Sequence, residues 1–168
     1  MPCPLPSCFR HRCQPARVPN GHAEQFEQKT NHRKYIALVW GGIQNDTGTI
    51  DAPIGRDEAD RKKMAVTSRN SKSAITHFRV LERYKEATLI ELKLETGRTH
   101  QIRVHMDYIG YPVVNDPVYG RRKVLDETGQ CLHAKELGFI HPTTKEYIEF
   151  KIEPPVCFNN LVEVFKNQ

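Results

Sequence analysis

The chain has 168 residues, 38% of them apolar, with 25 Lys and Arg against 20 Asp and Glu; that is enough for one domain with a core and too short for two ordinary ones. No apolar run approaches the roughly 18 residues of a spanning helix, charges are interspersed throughout, and five cysteines are too few and odd in number for a disulfide framework. These features set aside membrane, disordered and disulfide-stapled classes and point to a soluble, cytoplasmic domain, whose net charge of +5 is compatible with a polyanionic partner.

Residues 1–20 (MPCPLPSCFRHRCQPARVPN) differ from the rest, holding five of the eleven prolines and three of the five cysteines. Prolines at that density deny the backbone donors that helices and central strands need, so an irregular leader is expected. Cys3, Cys8, His11 and Cys13 are potential zinc ligands. The single residue between His11 and Cys13 is tighter than the spacing zinc sites use within a ligand pair, so no metal is expected.

From residue 21 the texture becomes that of a folded chain. Residues 23–30 (AEQFEQKT) read as a polar surface helix. Residues 33–40 (RKYIALVW) read as a strand with Ile36, Leu38 and Trp40 on one face and Tyr35, Ala37 and Val39 on the other, apolar enough to be buried on both. Gly41-Gly42 and Asn45-Asp46-Thr47-Gly48 mark turns. Residues 74–82 and 88–95 alternate as strands, the second with Ile90, Leu92 and Leu94 inward, and their short gap predicts an antiparallel hairpin. Residues 147–152 (YIEFKI) form a further alternating strand, and residues 158–166 a closing amphipathic helix.

Residues 95–120 (ETGRTHQIRVHMDYIGYPVVNDPVYG) carry the chemistry. Thr99 can cap a helix running through Ile109, stopped by Gly110 and Pro112, with Ile102, Met106 and Ile109 as its buried stripe. His100, Arg103 and Asp107 share another face by spacing, and Arg98, His100, Arg103 and His105 form a compact cationic cluster at a helix start, suited to phosphate or carboxylate. A solvated helix face with one Arg–Asp pair is the plainer alternative.

The same segment resembles the GRTHQ-[LI]-R-x-H…G-x-P-x-x-x-D-x-x-YG signature of RluA-type pseudouridine synthases. Four further stretches resemble that family in its order: HRKYIALVWG at 32–41, IDAPIGR at 50–56 followed by KMAV, SAITHFRVLER at 73–83, and CLHAKELGFIHP at 131–142. The resemblance covers about residues 22–168. It implies an α+β fold, a mixed, mainly antiparallel sheet flanked by helices with an RNA cleft along one face. It further implies isomerisation of a flipped uridine in rRNA or tRNA, with RNA as partner and no metal or organic cofactor.

Carried over, the resemblance makes Tyr35 the tyrosine that stacks on the base, Arg103 the arginine that pairs with the catalytic carboxylate, and Leu132 the apolar floor. Arg98 and His100 are assigned to substrate phosphate or positioning. The residues alone leave plainer roles open: a strand aromatic for Tyr35, a surface pair with Asp107 for Arg103, ordinary core for Leu132. Asp116 and Tyr119 read as turn and packing residues, and Arg61, Lys62 and Lys63 as solvated basic loop. The family's catalytic aspartate belongs to an R-L-D-x-x-T-S-G motif upstream of HRKYIALVWG; that stretch here reads CFRHRCQPARVPNG, and no Arg-Leu-Asp occurs anywhere in the chain. The break is abrupt, as a frameshift, misplaced start or gene fragment would make it. The expectation is therefore a chain of this family that lacks its nucleophile, with a non-catalytic RNA-binding remnant as the alternative.

Overall fold

The computed structural model describes residues 32–120, 124–141 and 143–168. The expected leader over 1–20 and the polar helix over 23–30 lie outside these residues. The elements are β1 His32–Trp40, β2 Thr47–Asp51, β3 Ile54–Arg56, β4 Met64–Val66, β5 Ile75–Arg83, β6 Ala87–Leu94, α1 Gln101–Tyr108, β7 Leu132–Ile140, β8 Tyr147–Lys151 and α2 Val156–Lys166. Six strands form one sheet in the order β2-β5-β6-β1-β7-β8, while β3 and β4 form a separate small hairpin. Every described pair is antiparallel. The expected mainly antiparallel sheet with flanking helices is therefore present, without a parallel pair among the described residues.

Central β1 is apolar on both faces because both are covered, as its near-continuous hydrophobic run requires. Ile36, Leu38 and Trp40 pack with Phe158, Leu161 and Phe165 of α2, and the Trp40 and Phe165 rings meet edge to face at 5.3 Å. On the other face Ala37 and Val39 join Ile90, Leu92 and Leu94 of β6 and Ile102 and Met106 of α1. Helix α2 follows Pro155, which is extended and ends the preceding segment, and its buried residues recur at helical spacing.

Two irregularities bend the ladder. Between β5 and β6 the register slips at Val80/Glu82, leaving Leu81 exposed. Between β1 and β7, Tyr35 faces Ala134 but Lys34 faces Glu136, so Lys135 is an extra residue in β7, a β-bulge. Strand β8 is an edge with Tyr147 and Phe150 exposed.

Candidate functional site

Helix α1 starts later than its sequence predicts. Thr99 does not cap it; the cap position is His100, held in the left-handed region at φ 57°, with no side-chain cap bond. The donors of the turn are served from inside the helix instead, because Oε1 of Gln101 accepts the Arg98 backbone N–H and the Thr96 hydroxyl, both at 2.9 Å. Gly110, at φ 87°, follows the helix as expected.

Gln101 and His105, one helical turn apart, form a buried polar spine. The Gln101 amide donates to Thr76 Oγ1 at 3.0 Å, and that hydroxyl lies 2.9 Å from His105 Nδ1. On the far side His105 Nε2 lies 2.9 Å from the Ala52 carbonyl. A carbonyl accepts only, so Nε2 carries a proton, and in the neutral ring Nδ1 accepts from the Thr76 hydroxyl. Burial holds the His105 pKa below its ordinary value against the pull of the Ala52 carbonyl and Asp51. His105 is thus not part of a cationic cluster: it is fully buried and pins α1 to β5.

Arg103 does not lie on a solvated face with Asp107. It is nearly buried and makes a two-pronged pair with Asp116, Nε to Oδ2 at 2.6 Å and Nη2 to Oδ1 at 2.7 Å. Asp116 also accepts the backbone N–H groups of Val118 and Tyr119. Burial pushes the Asp116 carboxyl up, but the Arg103 guanidinium and those two N–H groups outweigh it and hold its pKa below the usual value. The Tyr119 ring lies against the guanidinium at 4.8 Å, and its hydroxyl accepts the Met64 N–H and lies 2.9 Å from His100 Nδ1. Burial, reinforced by the Arg103 charge, lowers the His100 pKa. Asp116 and Tyr119, which the sequence presents as turn and packing residues, are therefore the partners that orient Arg103 and His100. Their separation of three residues in NDPVYG, with the aspartate capping its own turn, was the available signal.

Tyr35 and Leu132 come together elsewhere on the same face. Tyr35 and Ala37 project to one side of β1, Ala37 pairs with Leu132 of β7, and both large side chains pack half-buried against the α1 core. Among the described residues no hydrogen bond or ion pair joins this pair to the Arg103 group. Arg98 is held by Nε donating to the Ser73 carbonyl at 2.9 Å. A cleft of about 490 Å³ opens beside Tyr119, bounded by Met64 and Val66 of β4 and by Asp107 and Tyr108 of α1. Among the described residues no cluster of His, Cys, Asp or Glu could hold a metal, and no helix is long and apolar enough to cross a membrane.

Comparison with known proteins decides the family. The profile of RNA pseudouridylate synthase matches residues 20–108, just over half of the chain. The chain belongs to this family. It is 58% identical to an uncharacterised RNA pseudouridine synthase, YlyB, of Bacillus subtilis over 83% of this chain and 46% of that protein. It is 44% identical to ribosomal large subunit pseudouridine synthase D of Zymomonas mobilis over 80% of this chain and 45% of that protein. The chain thus spans about half the length of the curated relatives it matches. Among solved structures, human RNA pseudouridylate synthase domain containing 1 superposes with a TM-score of 0.73 at 27% identity, covering 89% of this chain and 71% of that one. The sheet and its two helices are those of a pseudouridine synthase.

Proposed function

We propose that this chain forms the base-pocket and RNA-binding part of a pseudouridine synthase acting on rRNA or tRNA. In this reading the target uridine is flipped out of its stack, at a cost of about a few kcal/mol, and its ring rests on Tyr35 over Leu132. A carboxylate assists cleavage of the N1–C1′ bond; the uracil turns, C5 bonds to C1′, C5 loses its proton to solvent or a base, and N1, which kept the electron pair of the broken bond, takes up a proton. Arg103 keeps that carboxylate ionised and aimed, while Arg98 and His100 meet substrate phosphate.

The observation that carries the reading is the division of the Arg103 guanidinium. Nε and Nη2 are committed to Asp116 and one face to Tyr119, while Nη1 has no hydrogen-bond partner among the described residues. A guanidinium fixed in this way presents one free edge to a further carboxylate. Asp116 cannot be that carboxylate, and Asp46 is engaged with Arg83 at 2.6 Å. With no Arg-Leu-Asp in its sequence, the 168-residue chain is expected to form no pseudouridine by itself, since loss of a reactive group costs on the order of 10⁴ to 10⁶ in rate. The test supplies ribosomal and transfer RNA and assays pseudouridine chemically, with and without an added segment bearing Arg-Leu-Asp. Turnover by the chain alone overturns the missing-carboxylate reading; turnover that appears with the added segment supports both parts.

A further inference from the structure

At least half of the eight arginines among the described residues answer to a carboxylate in an ion pair. Arg69, Arg79, Arg83 and Arg103 each meet one within 3.2 Å. Arg56, Lys72 and Arg98 meet none among the described residues, and these three line one hollow of about 310 Å³ between the β3–β4 hairpin and the start of α1. No acidic side chain lines it. Like charges gathered around one hollow repel one another, and an anion placed among them removes that repulsion.

The two arginines are also held in place by neutral groups, which fix geometry without cancelling charge. Arg56 donates from Nη1 to the Arg61 carbonyl at 2.9 Å. Arg98 donates from Nε to the Ser73 carbonyl. For Lys72 it is the backbone that is fixed, tied to Ile54 by two hydrogen bonds of 2.9 Å. Gly97 on the rim has no side chain, and the space a Cβ would take is filled by the Arg33 guanidinium. The hollow is not closed: Arg56 and Asn70 also line a neighbouring groove of about 650 Å³ bordered by Arg61 and by Asp57, Glu58 and Arg69, of which Arg69 and Glu58 pair with each other. Cations spaced along an open surface, Arg98, Lys72, Arg56 and then Arg61, suit a chain of phosphates better than a single one.

We propose that Arg56 and Lys72, together with Arg98, form a preorganised seat for an RNA backbone phosphate, with the β3–β4 hairpin as one wall of the strand's path. This inference rests on the RNA-acting reading above and adds Arg56 and Lys72 to it. A phosphate held here leaves its neighbours along the strand to follow the groove toward Arg61.

The test uses the full chain and a short RNA hairpin with uridine in its loop, with affinity measured across a salt series. Arg56→Ala and Lys72→Ala should each weaken binding and lower the slope of log affinity against log salt by about one. Lys72→Arg should restore it, and Lys166→Ala on α2, across the sheet, should change neither quantity. Circular dichroism confirms that each variant is folded; where Arg56→Ala is not, Arg56→Gln takes its place. Salt-dependent binding that is unaltered by either substitution overturns this seat while leaving the RNA reading intact. Absence of salt-dependent RNA binding in the unmodified chain overturns the RNA reading and this inference with it. Tight binding of inorganic phosphate alone that is lost in Lys72→Ala, with RNA affinity unchanged, overturns the assignment to a polynucleotide.

Discussion

Against the face of β1 that carries Ile36, Leu38 and Trp40, helix α2 lays Phe158, Leu161 and Phe165, a packing of hydrocarbon and aromatic rings. Against the opposite face, helix α1 brings Ile102 and Met106 but also buries Gln101, Arg103 and His105. Burying hydrocarbon is favourable in proportion to area, whereas each buried polar group must recover its lost hydration through hydrogen bonds. The α2 face is therefore built for cohesion. The α1 face gives up some cohesion to hold guanidinium and imidazole groups at set angles, and the residues with chemical roles lie there.

The sharpest way to break this comparison is Asp116→Ala. It leaves Arg103 as an unpaired, nearly buried cation and should destabilise the fold by roughly 3–5 kcal/mol in urea denaturation. A loss below about 1 kcal/mol would mean that the pair is solvated and the α1 face ordinary. Phe165→Ala probes the other face: it removes a ring packed on Trp40 and should cost about 3 kcal/mol. Unlike changes around α1, it should leave the salt dependence of RNA binding by the folded protein unaltered.

Acid separates the faces next. The folded-state pKa of His105 lies below its ordinary value, so its contribution to stability is present above about pH 6.5 and is lost as pH falls toward the folded value. Asp116, also lowered, acts in the same direction further down, below about pH 3.9. The melting temperature should fall between pH 7 and pH 5 and fall less in His105→Gln; an equal fall in both would detach the effect from this ring. The smallest effect belongs to the surface pair Arg79–Glu91, where Arg79→Ala should cost under about 1 kcal/mol.

The strands were legible wherever alternation met burial. Residues 88–95 read as they fold, because Ile90, Leu92 and Leu94 face the core and Lys93 faces water. Strand β1 was legible from its two apolar faces. The short β2, β3 and β4 were missed, since three to five residues near glycine and proline carry too little periodicity to separate strand from loop, and β7 was missed because LHAKELGFI does not alternate. Within α1 the apolar stripe was legible but the polar residues were misplaced. Spacing puts Arg103 beside Asp107, whereas its partner Asp116 lies beyond Gly110 and Pro112, where the chain has turned back. His105 looks cationic in a string of basic residues; burial between elements distant in sequence holds its pKa low, against the pull of the Ala52 carbonyl. Helical periodicity reports faces, and it cannot report what another element brings to them.

The bulge in β7 gives the chain one residue of slack. Regular pairing would set Lys135 opposite Lys34, like charge against like; the extra residue brings Glu136 there instead, 2.9 Å from the Lys34 ammonium. In terms of insertions and deletions, Lys135 is the position at which the strand tolerates a change of length. Its deletion should straighten the ladder while keeping Lys34 opposite Glu136, Arg33 opposite Leu137 and Tyr35 opposite Ala134. Deleting Ala134 or Glu136 instead should displace one of those pairs. The β7–β8 hairpin can therefore lengthen or shorten at this point without disturbing Tyr35 and Leu132.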